Sequence, residues 1–151
     1  MAKEAVTALE RYKKDDPNGQ ADKKVNDLLV DHFAFQGVGA HLNAVIKGFR
    51  KIRNKFVADD YTYECEDDCD SAYAYVYQVW SDVHICMNKL KPKGKDFAAH
   101  VFLHEMAHFS AGAGDLEYYY YGGSSENTSL HPDDAVSNAD SYEGFADQLY
   151  K

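Results

Sequence analysis

Phe97-Ala98-Ala99-His100-Val101-Phe102-Leu103-His104-Glu105-Met106-Ala107-His108-Phe109-Ser110 is the stretch on which this chain turns. It is apolar on nearly every side of a helix, which predicts a helix buried in a core. Ionisable groups in that setting need partners, and a metal is one way to supply them. His104 and His108 stand four apart and share a helical face, so the two imidazoles can grip a single zinc ion. Glu105 beside them is placed to take a proton from a zinc-bound water. A His-Glu-x-x-His string arises by chance in roughly one per cent of chains this size, so the rest of the sequence has to decide.

The bulk properties narrow the field. With 151 residues, 45% of them hydrophobic, the chain reads as one domain spanning 1–151 with material for a proper core. Twelve tyrosines and 14% aromatic content are far from a disordered profile. A formal net charge of -9 argues against nucleic acid or an anionic membrane as main partner and suits cationic substrates. No apolar run approaches the ~20 residues needed to cross a bilayer, so no membrane insertion is expected. The N-terminal ten residues have no apolar core of a secretory signal. Either a signal or pro-segment has been removed, or the chain leaves its cell by another route. Cys65, Cys69 and Cys86 match a zinc finger poorly. One disulfide with a thiol left over fits better and implies an oxidising compartment.

Along the chain, residues 3–14 read as a short charged helix ended by Asp15-Asp16-Pro17-Asn18-Gly19. A helix from Asp22 places Val25, Leu28, Leu29, His32 and Phe33 at helical spacing, and Gly37 and Gly39 interrupt it. A second amphipathic helix carries Leu42, Val45, Ile46, Phe49, Ile52 and Phe56, with Lys47, Arg50, Lys51 and Arg53 on a solvated face. Residues 73–80 and 83–87, rich in aromatic and β-branched side chains and joined through Ser81-Asp82, predict a β-hairpin. After a loop at 91–94, Asp96 is the expected N-cap of a helix over 97–111 that Gly112 stops. Residues 112–130 form a loop. A last helix is expected from Pro132 to Leu149, burying Val136, Ala139, Tyr142, Ala146 and Leu149.

Three segments together resemble the aspzincin metalloendopeptidases: the His-Glu-x-x-His helix, the loop from Gly112 to Gly122, and Asn138-Ala139-Asp140-Ser141-Tyr142-Glu143-Gly144-Phe145-Ala146. The strand around Tyr73–Tyr77 and Cys86 also follow the family layout. The resemblance covers roughly residues 60 to 150. It implies an α+β, zincin-like fold, mostly helical with a small sheet whose edge strand holds an extended substrate. It also implies a Cys69–Cys86 disulfide with Cys65 spare.

The third zinc ligand is where the chain departs from the family pattern, Gly-Thr-x-Asp-x-x-Tyr-Gly with the Asp on zinc. Counted from Gly114, Glu117 takes the ligand position, with Asp115 as its competitor; either carboxylate suits zinc. Glu143 and Asp147 also form the Glu-x-x-x-Asp string by which other zincins supply a third ligand, a reading ranked below the loop carboxylates. Asp140 and Glu143, at i and i+3, share a face. The resemblance implies that this acidic pair lines the pocket for a substrate lysine; alternatively Asp140 orients a ligating His. The family uses the Tyr of its Tyr-Gly pair to hydrogen-bond the developing oxyanion. Tyr121 fits that role by adjacency to Gly122, and Tyr120 by distance from His108. His100 is expected to pack or bond locally, and His32, His41, His84 and His131 carry no motif.

The expectation is thus a monomeric, secreted endopeptidase with one Zn2+, held by His104, His108 and an acidic residue, with Glu105 as general base. It would act on protein or peptide substrates, cutting before lysine (Xaa-Lys), without nucleic acid. Two alternatives stand beside it. One is a toxin or effector domain delivered by a secretion system to host proteins or cell-wall peptides. The other is a non-catalytic module with a structural zinc.

Overall fold

In the computed structural model, which describes residues 1–15, 22–67, 69–77, 82–117 and 128–151, helices surround one small sheet. The architecture is α+β, as expected. The helices are α1 (Ala2–Asp15), α2 (Lys23–Phe33), α3 (Ala40–Ala58), α4 (Met87–Leu90), α5 (Lys95–Met106), α6 (Pro132–Ala135) and α7 (Ala139–Tyr150). The strands are β1 (Thr62–Glu66), β2 (Ala74–Val76) and β3 (Asp82–Cys86), in the order β1-β3-β2. No helix among the described residues is long and apolar enough to cross a membrane.

The second and third helices follow their periodicity. Val25, Leu28, Leu29, His32 and Phe33 of α2 and Leu42, Val45, Ile46, Phe49 and Ile52 of α3 are all buried. Asp22 caps α2, its carboxylate accepting from the Val25 amide at 3.2 Å. Around Phe49, the rings of Tyr142 and Phe145 from α7 pack at centroid distances of 5.0 and 5.6 Å. Gly48 makes this approach possible, because a Cβ there would overlap the Tyr142 ring. Gly144 does the same for α2: a Cβ would lie 2.5 Å from Cε1 of His32.

Three elements differ from the sequence reading. The expected hairpin pairs antiparallel as β2 and β3, Tyr75 opposite His84, but β3 is also flanked by β1 in parallel, Glu64 opposite His84. Thr62-Tyr-Glu-Cys-Glu gave no strand signal because β1 is an edge with only one face near the body of the protein, and four of its five residues are exposed. The helix carrying the histidines starts at Lys95 behind Gly94, so Asp96 sits in its first turn and is not the cap. It widens into a π turn over Ala107–Ala111 before Gly112, at φ 75°, ends it. The last helix is broken: α6 stops at Ala135 and α7 starts at Ala139, because Asn138 between them pairs with Gly114 of the preceding loop.

His32 is fully buried between α2 and α7. Loss of solvent lowers its pKa to about 4, against the raising effects of a hydrogen bond with Gln148 and the charge of Asp147. A ring kept neutral in the fold contributes stability that is present above its unfolded pKa of 6.5 and lost as pH falls from there towards about 4. The unfolding free energy, read from chemical denaturation, is expected to fall across this window by an amount on the order of 3 kcal/mol. A His32→Leu variant, measured alongside, should lack that component of the slope.

Candidate metal centre

Two helices and one loop build the site. α5 presents His100, His104 and Glu105 inward, and α7 faces it with Asp140, Glu143 and Asp147, all six at most 8% exposed. A seam of this kind is tolerable only if the charges meet partners. They do: His104 Nδ1 lies 3.2 Å from Asp140 Oδ1, His100 Nδ1 lies 2.6 Å from Glu143 Oε1, and His100 Nε2 lies 3.3 Å from Asp147 Oδ1. The hydrogen bond with Glu143 raises the His100 pKa against the opposing effect of burial.

The π turn carries the second histidine. His108 Nδ1 donates to the Ala113 carbonyl at 2.8 Å, and because a carbonyl can only accept, this contact fixes the tautomer. Both rings are therefore anchored through Nδ1, one on a carboxylate and one on a carbonyl. Both Nε2 atoms turn to the same point, 2.9 Å apart. Asp115 Oδ1 completes the triangle, 3.2 Å from His104 Nε2 and 3.1 Å from His108 Nε2.

Two nitrogen lone pairs and a carboxylate oxygen facing one another need a cation between them. Zinc bonds of about 2.0–2.1 Å in a tetrahedron set ligand atoms roughly 3.3 Å apart, close to these three edges. The donor set, two imidazoles and a carboxylate with their far sides hydrogen-bonded, is of the kind zinc takes in open, reactive sites. The residues present fit the ion.

Asp115, and not Glu117, stands with the histidines, which corrects the order in which the two were ranked. The Glu117 carboxylate is turned away and accepts from Thr128 Oγ1 at 2.5 Å and from the Ser129 amide and hydroxyl at 3.2 and 2.6 Å. The signal was in the loop: counted from Gly112 instead of Gly114, Gly112-Ala113-Gly114-Asp115 puts Asp115 at the aspartate of the Gly-Thr-x-Asp pattern. Glu143 is not in the triangle, since His100 holds its carboxylate.

Asp140 shares a face with Glu143 as expected, but each carboxylate meets an imidazole. Asp140 thus orients His104, and its other oxygen, Oδ2, is buried with no hydrogen-bond partner among the described residues. Tyr120 and Tyr121 lie outside the described residues. Cys69 and Cys86 are joined as a disulfide, and Cys65 is free and exposed.

Glu105, next to His104 on α5, is 6% exposed and feels the charges of His104, Asp115 and Asp140. Burial raises its pKa to about 7; His104 lowers it, Asp115 and Asp140 raise it, and a hydrogen bond from the Val76 backbone lowers it. That last contact ties the carboxylate to β2, an edge of the sheet.

Residues 20–147 match the aspzincin family model, described as lysine-specific metallo-endopeptidase. The chain is 31% identical over 91 residues to a peptidyl-Lys metalloendopeptidase of Grifola frondosa and 30% identical over 92 residues to one of Armillaria mellea. Each match takes in 58% of this chain but 26% of the relative, so the chain spans about a quarter of the length of the curated relatives it matches. A solved zinc peptidase from Grifola frondosa shares the fold, with a TM-score of 0.65 over 95% of this chain and 90% of that one at 23% identity.

Asn138, which the sequence reading did not single out, holds the loop to the seam. Its side-chain oxygen accepts from the Leu116 and Glu117 amides at 3.0 and 3.3 Å, and its amide donates to the Glu117 carbonyl at 3.0 Å. Asn138→Ala leaves these half-buried backbone groups to water and is expected to cost about 1–2 kcal/mol in chemical denaturation. Amide exchange at Leu116 and Glu117 should accelerate more than in the core of α3.

Proposed function

We propose that this chain, which belongs to the aspzincin family, is a zinc-dependent endopeptidase that cuts peptide bonds on the N-terminal side of lysine. The observation that carries the proposal is the convergence of His104 Nε2, His108 Nε2 and Asp115 Oδ1 on one point, with Glu105 beside it. His104, His108 and Asp115 would hold one zinc ion, which when bound supplies a Lewis acid that activates water and polarises a carbonyl.

The protein's own groups do the rest. Glu105 receives a proton on its carboxylate from the attacking water and returns it to the nitrogen of the departing amine. A pKa near neutrality suits a group that must both take and give a proton. Asp140 and Ala113 keep the two imidazoles from turning away. The edge of β2 can take an extended peptide by backbone hydrogen bonds, beside the base it anchors. Asp140, with a carboxylate oxygen that has no partner among the described residues, and behind it Glu143, would supply the negative charge that a substrate ammonium requires. A tyrosine of the 118–121 run, Tyr121 or Tyr120, is assigned by family resemblance to the oxyanion. The Cys69–Cys86 disulfide supports an oxidising, extracellular setting.

Glu105→Gln is expected to lower turnover by about 10²–10⁴-fold while leaving zinc content unchanged. Digestion of a protein mixture by the wild type, with new termini mapped, should give fragments beginning with lysine, and a chelator should abolish them. Chelator-insensitive cleavage, or termini without lysine bias, would overturn the mechanism or the specificity respectively.

A separate measurement addresses the third ligand. Asp115→Ala should weaken zinc binding by more than about tenfold, whereas Glu117→Gln should leave it near the wild-type value. The opposite ranking would return the role to Glu117.

A further inference from the structure

A second imidazole–carboxylate constellation sits on the sheet, away from the α5–α7 seam. Parallel pairing puts Glu64 opposite His84, and the period of two puts Glu66 on the same face. Antiparallel pairing brings Tyr75 opposite His84 from the other side. His84 Nδ1 lies 2.6 Å from Glu66 Oε1 and 3.5 Å from Glu64 Oε2. One ligand atom from each of these residues falls within 4.8 Å of the others.

Acidic side chains on an exposed edge strand alone would mean little. Here the imidazole is among the buried polar residues, and one aromatic side chain holds two of the three groups in place. The Tyr75 ring stacks on His84 with centroids 4.5 Å apart and planes 2° from parallel. Its hydroxyl donates to both oxygens of Glu66, at 2.8 and 2.9 Å. Tyr77 closes the edge of the imidazole at 5.5 Å. Glu64 is exposed and its longer contact leaves it room to swing in. Outer contacts that fix a histidine and a carboxylate are what a metal site uses to orient its ligands.

We propose that Glu64, Glu66 and His84 form a second divalent-cation site, for an ion of the zinc class, independent of His104, His108 and Asp115. One nitrogen and carboxylate oxygens select such an ion over calcium or magnesium, which take oxygen ligands alone. An ion there would bridge β1 and β3, the pairing that holds β1 to the sheet among the described residues.

The test is zinc stoichiometry on the full chain, stripped with chelator and titrated with Zn2+ in equilibrium dialysis. The wild type is expected to take up a second equivalent of zinc. Glu64→Gln, an exposed substitution that leaves the fold intact, and His84→Ala should each lose it and keep the first. Tyr75→Phe should weaken it by about tenfold. In a His108→Ala/Asp115→Ala background, the sheet equivalent should survive alone, which separates this site from the catalytic one. A single equivalent in the wild type, unchanged by Glu64→Gln and by His84→Ala, would overturn the proposal.

Discussion

Everything at the site hangs on the pairing of imidazoles with carboxylates across the α5–α7 seam. Buried ionisable side chains in an otherwise apolar helix are costly unless each finds a partner. His100 and His104, four apart on α5, meet Glu143, Asp147 and Asp140 on α7. This pairing sets the rotation of both helices about their axes. With His104 turned to offer Nδ1 to Asp140, its Nε2 has one direction left, and that direction is shared with His108. The rest of the centre is an arrangement for bringing one more acidic oxygen to the same place.

That delivery explains two irregularities. The helix widens after Met106, so the Ala113 amide reaches back to the Ala107 carbonyl at 3.2 Å, and the loop turns under His108 instead of away from it. The last helix breaks at Asn138 because the loop needs a backbone to pair with. Gly114 and Asn138 bridge, the Gly114 amide bonding to the Ser137 carbonyl at 2.7 Å and the Ala139 amide to the Gly114 carbonyl at 2.8 Å. Asp115 follows directly. An uninterrupted helix over these residues would consume the groups that hold the loop, which is why a periodicity argument, blind to long-range pairing, runs straight through the break.

Local patterns were legible where burial alone decides structure. The apolar stripes of α2 and α3, the alternation behind β2 and β3, and the apolar helix with its two histidines could all be read from the residues. So could Asp140 as a partner for a ligating His, once the acidic face of α7 was noticed. The choice between Asp115 and Glu117 was not legible from chemistry, because both are carboxylates in a polar loop. Two registers of the family pattern, from Gly112 and from Gly114, fit the loop, and the backbone selects the first: Asn138 seizes the amides of Leu116 and Glu117, and Thr128 and Ser129 take the Glu117 carboxylate. β1 was hidden for the opposite reason. An edge strand with little burial leaves no hydrophobic signature, and so the cluster on the sheet, assembled by register across three strands, left no trace in any short motif.

The seam also distributes charge unevenly, and this bears on the proposed taste for lysine. Glu143 and Asp147 both contact His100, whose pKa the Glu143 hydrogen bond raises, and Lys151 adds a contact to Asp147 at 2.7 Å. Their charge is largely answered within the protein. Asp140 is different. Its partner His104 offers a single N–H, and under the proposed reading that imidazole is neutral, its other nitrogen being a metal ligand. One carboxylate oxygen then remains buried and without a hydrogen-bond partner among the described residues. Such an atom is costly to leave unanswered. An ammonium group is the partner that answers it best, and Asp140, more than Glu143, is where a substrate lysine would be felt.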